Sequence, residues 1–539
     1  MKTFVEICGI LPKRQGCLMK KLSRLKGFTV GVSLVLLSQG APCIAADNIQ
    51  SAYDAMQQKL TEYRDAVCIQ TDLNAVTLKR DAYFKAKQAY EKLRQAGNQG
   101  VDNVKQAASQ IRQAAAPATS SDKPDTQTLT TAAGIDRAVQ KAVSGAKVSE
   151  KDLDISFKET NDNSLELQTG ETFWQSVTRD LQGAKKSITI QMFGMEADKT
   201  GWEFARLLAE KAKQGVEVVL VADRSGARMA GLKNLTSKTE EEKLFDFYRQ
   251  NGVKVVLYDR ISKATSVGQK LDFFHFDHRK KFIIDGQIGY VGGYTLQQES
   301  REKKHDMMVR CQGSVVNQMQ TGLLLSYLYN GGKLQDKDAA AIRERFFPKP
   351  AVKGTSNARI TYNIPRGVHD VHDDYKKQID AAKNYLYIIN PYITNNDLID
   401  RLAAAAKRGV DVRIVHPASA ENPLNDANTR FHFDKLRKAG VKIYLYEGEK
   451  GLGKVHAKGL IADDQFASIG SCNMDTMALR HNYESNVASK DPEFVKKVKK
   501  DLFEKDFTVS KLYEPPKSLW ERIKIKVKGG ASELLDRWD

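Results

Sequence analysis

The chain repeats itself, and the repeat limits the folds open to it. Ala184 to Asp223 reads AKKSITIQMF, then a helical stretch ending LLAEKAKQG, then VEVVLVAD. Ala382 to Pro417 reads AKNYLYIINPY, then a helical stretch ending RLAAAAKRG, then VDVRIVHP. Each is strand, helix, strand, and each helix stops at a glycine, Gly215 or Gly409, suited to a left-handed cap. The valine- and isoleucine-rich segments that follow read as buried parallel strands. A further matching pair, NGVKVVLYD from Asn251 and AGVKIYLYE from Ala439, extends both copies. Two βαβ-containing halves in the same order predict an α/β protein of two pseudo-symmetric repeats. Each repeat is expected to be a mixed, mostly parallel sheet flanked by helices.

The expected boundaries are 151–350 for the first repeat and 351–515 for the second. Upstream, Lys20, Lys21, Arg24 and Lys26 precede an apolar run from Gly27 to Leu37, and Ala41 to Ala46 follow. That is the charge, apolar run and small-residue cleavage site of a secretory signal peptide over 1–46, with Met19 an alternative start. The run is too short for a bilayer span. The mature chain is therefore expected to be exported, periplasmic or secreted, and peripheral to a membrane. Ile49, Tyr53, Met56, Leu60, Tyr63 and Val67 recur at three and four, predicting a helical hairpin or bundle over 47–115. Residues 116–150 read as a linker. In the tail, 516–539, Ile523, Ile525 and Val527 alternate with Lys524, Lys526 and Lys528, which reads as a solvated terminal element in preference to a contact with anionic lipid.

Composition narrows the class. With 41% apolar and 28% charged residues, wholesale disorder is excluded. Six cysteines in 539 residues exclude a disulfide scaffold. Cys68, Cys311 and Cys472, those beyond the signal, are expected as buried thiols. The formal charge is +18, and removing residues 1–46 takes away seven bases and one acid to leave +12. Such a balance suits nucleic acid, an anionic membrane or a phosphate-bearing substrate.

Two chemical signatures fall at matching places in the repeats. His278-Arg279-Lys280 is followed after four residues by Asp285 and after six more by Gly292-Gly293. His456-Ala457-Lys458 is followed at the same spacing by Asp463 and then Gly470-Ser471-Cys472-Asn473. Asp306 lies 28 residues after His278, and Glu484 lies 28 after His456. In an extended segment residues i and i+2 share a face, so each His and Lys project together. A lysine suits the nonbridging oxygens of a phosphate, and an imidazole can attack phosphorus or carry a proton. Asp306 and Glu484 are placed to accept from the far ring nitrogens and orient the imidazoles. The glycines read as letting backbone amides approach the substrate, with Asn473 as a further donor. Asp285 and Asp463 belong to the same catalytic signature, although their distance along the chain also suits holding the site together. His369 and His372, with Asp370, Asp373 and Asp374, read as a solvated, acid-rich helix start in preference to a metal site. His275 lines the entrance or faces solvent.

The duplicated H-x-K-x4-D pattern resembles the phospholipase D superfamily from about Ile155 to Val509. GAKKSITIQ before the first motif, NPY at Asn390 to Tyr392 and NYESN around Glu484 resemble its bacterial cardiolipin synthase and phospholipase D branch. The resemblance implies that His278 forms a phosphohistidine intermediate. It implies that His456 protonates the leaving alkoxide and then deprotonates water or an alcohol acceptor. It implies no metal and no cofactor. The chain departs from the family at Thr295, where Asn is usual; its hydroxyl donates one hydrogen bond at shorter reach.

Three functions fit these residues. The first is a phospholipase D or cardiolipin-synthase-like phosphatidyltransferase acting on phospholipid at an anionic membrane surface, with water or an alcohol as acceptor. The second is an exported nuclease of the same superfamily. The third is a non-catalytic lipid-binding member. Because one chain closes the two-motif site, a monomer is expected.

Overall fold

The computed structural model describes residues 128–226, 240–258, 275–419, 422–448, 454–518 and Ile525. The expected signal peptide, the helical hairpin, the linker up to residue 127 and the tail other than its start and Ile525 lie outside the described residues.

The first half carries β1 (Thr160–Thr169), β2 (Ser187–Met192), β3 (Glu217–Asp223), β4 (Lys254–Tyr258), β5 (Lys281–Ile284), β6 (Ile288–Gly292) and β7 (Met307–Gln312). The second carries β8 (Ser356–Asn363), β9 (Tyr385–Ile389), β10 (Asp411–Pro417), β11 (Lys442–Tyr446), β12 (Gly459–Ala462), β13 (Phe466–Gly470) and β14 (Glu484–Ser489), with β15 (Ser510–Leu512) added at its edge. Among the described residues these form one 15-stranded sheet ordered β15-β11-β10-β9-β12-β13-β14-β8-β1-β7-β6-β5-β2-β3-β4. Each strand of the first half has its counterpart at the mirrored place in the second, where β15 alone has none. The halves join where β8 and β1 pair antiparallel, Ser356 opposite Asn163.

The duplicated α/β class stands, but the expectation of a mostly parallel sheet is corrected. Within this sheet, parallel pairing is confined to β2–β3–β4 and β9–β10–β11. The other pairings are antiparallel. The reason is connection length. Parallel neighbours need a crossover, which α2 (Lys199–Lys213) and α3 (Glu240–Gln250) supply in the first half. In the second, α6 (Asn396–Lys407) and α7 (Pro423–Lys438) do the same. The histidine motifs instead run into strands closed by three-residue turns, and tight turns reverse the chain.

Local sequence explains these helices. Asp198 caps α2 by accepting from Gly201 N at 2.9 Å, and Asn395 caps α6 by accepting from Leu398 N at 3.1 Å. Both helices end before glycines of left-handed conformation, Gly215 at φ 88 and Gly409 at φ 95. Phe204, Ala205, Leu208 and Ala209 of α2 are buried, the i, i+1, i+4, i+5 face of an amphipathic helix. α4 (Ser314–Tyr329) is apolar around most of its circumference and almost wholly buried. It backs the sheet on both sides of the join: Thr189 Oγ1 donates to Gln320 Oε1 at 2.9 Å, and Gln318 Oε1 accepts from Ile360 N at 3.0 Å. Leu323, Leu324 and Leu325 are fully buried there, each contributing about 1.5–3 kcal/mol. Cys311 and Cys472 are buried free thiols. Among the described residues no helix is long and apolar enough to cross a membrane.

Candidate active site

Both motif histidines sit just ahead of the hairpins β5–β6 and β12–β13, on extended approaches that pair with the opposite half. His278 N donates to Tyr483 O at 3.0 Å, and Tyr483 N donates to Phe276 O at 2.9 Å. His456 N donates to His305 O at 2.8 Å, beside the short parallel pairing of Lys454–Val455 with Lys304–His305. Tyr483 precedes Glu484, and His305 precedes Asp306. Each approach is thereby registered against the acid of the other repeat.

The pairs cross accordingly. His278 Nδ1 meets Glu484 Oε1 at 2.9 Å and Oε2 at 3.1 Å. His456 Nδ1 meets Asp306 Oδ2 at 2.6 Å. The acids are fully buried, while the imidazoles keep 12% and 13% of their side-chain surface. With Nδ1 held by the acid, Nε2 of each ring is left for the chemistry. Ser471 Oγ donates to Glu484, and Met307 N donates to Asp306 Oδ1 at 2.8 Å, fixing both carboxylates. Lys280 Nζ donates to His278 O at 2.6 Å, and Lys458 Nζ donates to His456 O. Both lysines are fully buried.

The charges form one cluster. Burial pushes His278 well below its ordinary range, with Lys280 and Lys458 adding to it. Burial raises Glu484 to about 8 although both lysines pull it down, and burial raises Asp306 as well. Lys280 is driven well below its ordinary value, again by burial first. His278 is therefore neutral near pH 7, as a nucleophile must be. Lys280 is desolvated, and an arriving phosphate anion would favour its charged form. The Phe193 ring stands edge-on 4.7 Å from the His278 ring, and Lys280 Nζ lies 5.0 Å from its centre.

Several sequence-predicted residues fall elsewhere than expected. Asp285 accepts from Lys185 N, Lys186 N and Ser187 N at 2.7–2.9 Å, and Asp463 from Lys383 N, Asn384 N and Tyr385 N at 2.7–2.8 Å. Both sit at positive φ, 52 and 53. Their carboxylates tie the hairpin turns to the starts of β2 and β9, so their role is architectural. The glycines are likewise corrected. The N–H groups of Gly292, Gly293, Gly470 and Ser471 donate to Lys280 O, Met307 O, Lys458 O and Ser485 O. They are thus committed within the sheet. A Cβ at Gly293 would collide with the Asp306 carboxylate, and one at Gly470 with Asn486 and Ser485. Glycine is required here so that the acid-bearing strand can approach.

Thr295 and Asn473 differ. Thr295 Oγ1 donates to Gln297 Oε1 at 2.6 Å, and Gln297 Nε2 donates to Glu196 Oε1 at 2.9 Å. Asn473 is 7% exposed, and its buried Oδ1 has no partner. The first rim is closed on itself, whereas on the second the Asn473 side-chain oxygen is left buried without a hydrogen-bond partner.

Sequence reasoning missed the support of the first histidine. Arg279 Nε and Nη2 each donate to the Asp277 carboxylate at 2.8 Å, and Nη2 also donates to Ser326 Oγ at 2.9 Å. Gln191 Nε2 donates to Asp277 Oδ2 at 2.7 Å, and Asp223 Oδ2 accepts from Asp277 N at 2.8 Å. The run of bases Arg279-Lys280-Lys281 entering an apolar strand was the available signal. No group of three or more metal-ligating side chains occurs among the described residues.

Two histidines on carboxylates, with two lysines between them, define a phosphoryl-transfer site of the phospholipase D type. The family model for the cardiolipin synthase phospholipase D-like domain matches residues 177–322 and 375–507, one segment in each half. The chain belongs to that family. A cardiolipin synthase of Staphylococcus aureus is 31% identical over 70% of this chain and 74% of its own length. The major cardiolipin synthase of Bacillus subtilis is 29% identical over 70% and 75%. The crystal structure of a phosphatidylserine synthase from Haemophilus influenzae shares the fold, with TM-score 0.52 and 15% identity, over 70% of this chain and 95% of its own. The chain is an enzyme of the phospholipase D and phosphatidyltransferase type.

Proposed function

We propose that the enzyme moves a phosphatidyl group from an anionic phospholipid to an alcohol-bearing lipid, as a cardiolipin synthase does, or to water. His278 Nε2 attacks phosphorus, an N–P bond forms and the P–O bond to the leaving alcohol breaks. His456 gives its Nε2 proton to that alkoxide. It then takes a proton from the acceptor hydroxyl, whose oxygen displaces His278. Lys280 and Lys458 hold the nonbridging oxygens as charge builds. Glu484 and Asp306 stabilise whichever imidazole is positive. The mature enzyme works as an exported monomer at an anionic membrane surface.

The observation that carries this reading is the crossed pairing of two histidines with two buried acids around two lysines. It supplies a neutral nucleophile and a separate proton carrier without further parts. The intact pairs in both halves weigh against a non-catalytic role, and the similarity to cardiolipin synthases weighs toward lipid over nucleic acid.

Product analysis by mass spectrometry tests it. Purified mature protein meets phosphatidylglycerol vesicles, with duplex and single-stranded DNA in parallel and His456→Ala as control. Cardiolipin with glycerol identifies transfer, and phosphatidic acid identifies hydrolysis. Cleaved DNA with untouched lipid would refute the proposal in favour of a nuclease.

A further inference from the structure

The halves differ at one corner beside Glu484. In the first, β1 ends at Thr169 and α1 (Gly170–Gly183) begins at once. In the second, residues 364–369 separate β8 from α5 (Asp370–Ala381), and this loop brings His369 to the helix start. His369 forms an antiparallel bridge with Asn363, and Asn363 lies opposite Glu484 in the sheet. The corner is therefore two backbone pairings from the acid that orients His278.

His372 is 4% exposed, and its Nε2 has no hydrogen-bond partner; the buried Nδ1 of His369 has none either. A buried, unpaired ring nitrogen is costly unless something arrives to meet it. Arg480 is exposed, bears on both rings, and forms no ion pair among the described residues. His481 beside it stacks on His275, 5.8 Å between ring centres, three residues before His278. The local acids are largely engaged elsewhere. Asp370 is held by Ser156 and Arg359, Asp373 by Lys376, and Asp154 by Val368 N. At the position matching Arg480 the first half has Glu302. The expectation of a solvated helix start is thus corrected: His372 is buried and His369 half-buried, and the charges facing them are Arg480 and Lys376 on one side and Asp373 and Asp154 on the other.

We propose that His369, His372 and Arg480 form a second phosphate subsite that holds the phosphodiester of the lipid acceptor. It rests on the transfer reading and deepens it. An acceptor lipid carries its own phosphate besides the hydroxyl that attacks phosphohistidine, and the reaction therefore presents two phosphates. The motif lysines serve the reacting one, and this corner meets the other. Neutral imidazoles donate an N–H and Arg480 supplies charge. Burial, with Lys376 and Arg480, holds His372 down to about 4, so a bound anion raises it.

The test uses the full mature enzyme with phosphatidylglycerol vesicles and 1-butanol as a competing acceptor without phosphate. Arg480→Gln alters an exposed side chain and leaves the core intact. The expected result is a fall of about tenfold in the ratio of cardiolipin to phosphatidylbutanol. An unchanged ratio would overturn the proposal. Inorganic phosphate, titrated while the ¹⁵N-histidine signals are followed by NMR, separates the causes. Saturable shifts at His369 and His372 that vanish in Arg480→Gln support the site even if the wild type makes no cardiolipin, in which case the transfer reading alone has failed. No saturable shift overturns the site. Shifts with an unchanged ratio make it a site for free phosphate and overturn the acceptor role.

Discussion

The two halves hold equivalent histidines on equivalent backbones by opposite means. Around His278 the supporting positions are Gln191, Asp223, Asp277, Arg279 and Lys281, a buried polar network. The matching positions around His456 are Ile389, Pro417, Val455, Ala457 and Gly459. Both nevertheless present a histidine, a lysine at i+2 and an acid from across the join. The chemistry thus constrains three side chains and a pairing register, while the residues between them are free to be ionic or apolar. Buried ion networks are not needed for stability in such a place; what they impose is mutual dependence, since removing one partner strands the other.

The largest effect tests what the halves share. His278→Ala and His456→Ala should each lower turnover by about 10⁴-fold or more, measured as lipid product per enzyme. A tenfold loss in either would make that half auxiliary. The next separates them. Arg279→Ala should destabilise by about 3–5 kcal/mol, because Asp277 is left buried without its counter-ion. The double change Asp277→Asn with Arg279→Met should recover much of that loss in urea unfolding. Ala457→Ser, at the matching place, should cost far less. Lys280→Met and Lys458→Met should each slow turnover by about 10²–10³-fold, with folding retained. A loss confined to one lysine would break the symmetry of phosphate binding.

Smaller effects sharpen the picture. Asp285→Asn and Asp463→Asn should cost similar amounts, about 1–3 kcal/mol, with kcat little changed at low temperature. A selective collapse of kcat would return these acids to catalysis. Glu484 binds a proton on folding, its value rising from 4.5 to about 8. Its contribution to stability is complete below about pH 4.5 and is lost as pH rises through about 8. Glu484→Gln should therefore gain in Tm relative to wild type between about pH 5 and pH 9. A constant difference would refute the burial argument.

The legible parts of the molecule were those written in local spacing. The histidine and lysine pairs follow from the period of two, the duplication from matched βαβ segments, and the two acids from their common offset of 28. The crossing of the pairs was not legible. His278 meets an acid 206 positions away and His456 one 150 positions away, and only the pairing of approach segments decides it. The sheet was misread because the apolar parallel strands β2, β3, β9 and β10 dominate the pattern. The central β1 mixes polar and half-buried residues and hides its place. Gly293 and Gly470 were misread because a glycine needed for a phosphate and one needed for a neighbouring strand look alike in sequence.

The crossed pairing is the central claim, and NMR of ¹⁵N-histidine-labelled enzyme tests it most directly. The low-field Nδ1–H proton of His278 is assigned by its absence in His278→Ala, and that of His456 by its absence in His456→Ala. Glu484→Gln should displace the His278 signal and leave that of His456, and Asp306→Asn should do the reverse. If Glu484→Gln displaced the His456 signal instead, each histidine would be served by its own half, and the account of the site would be wrong.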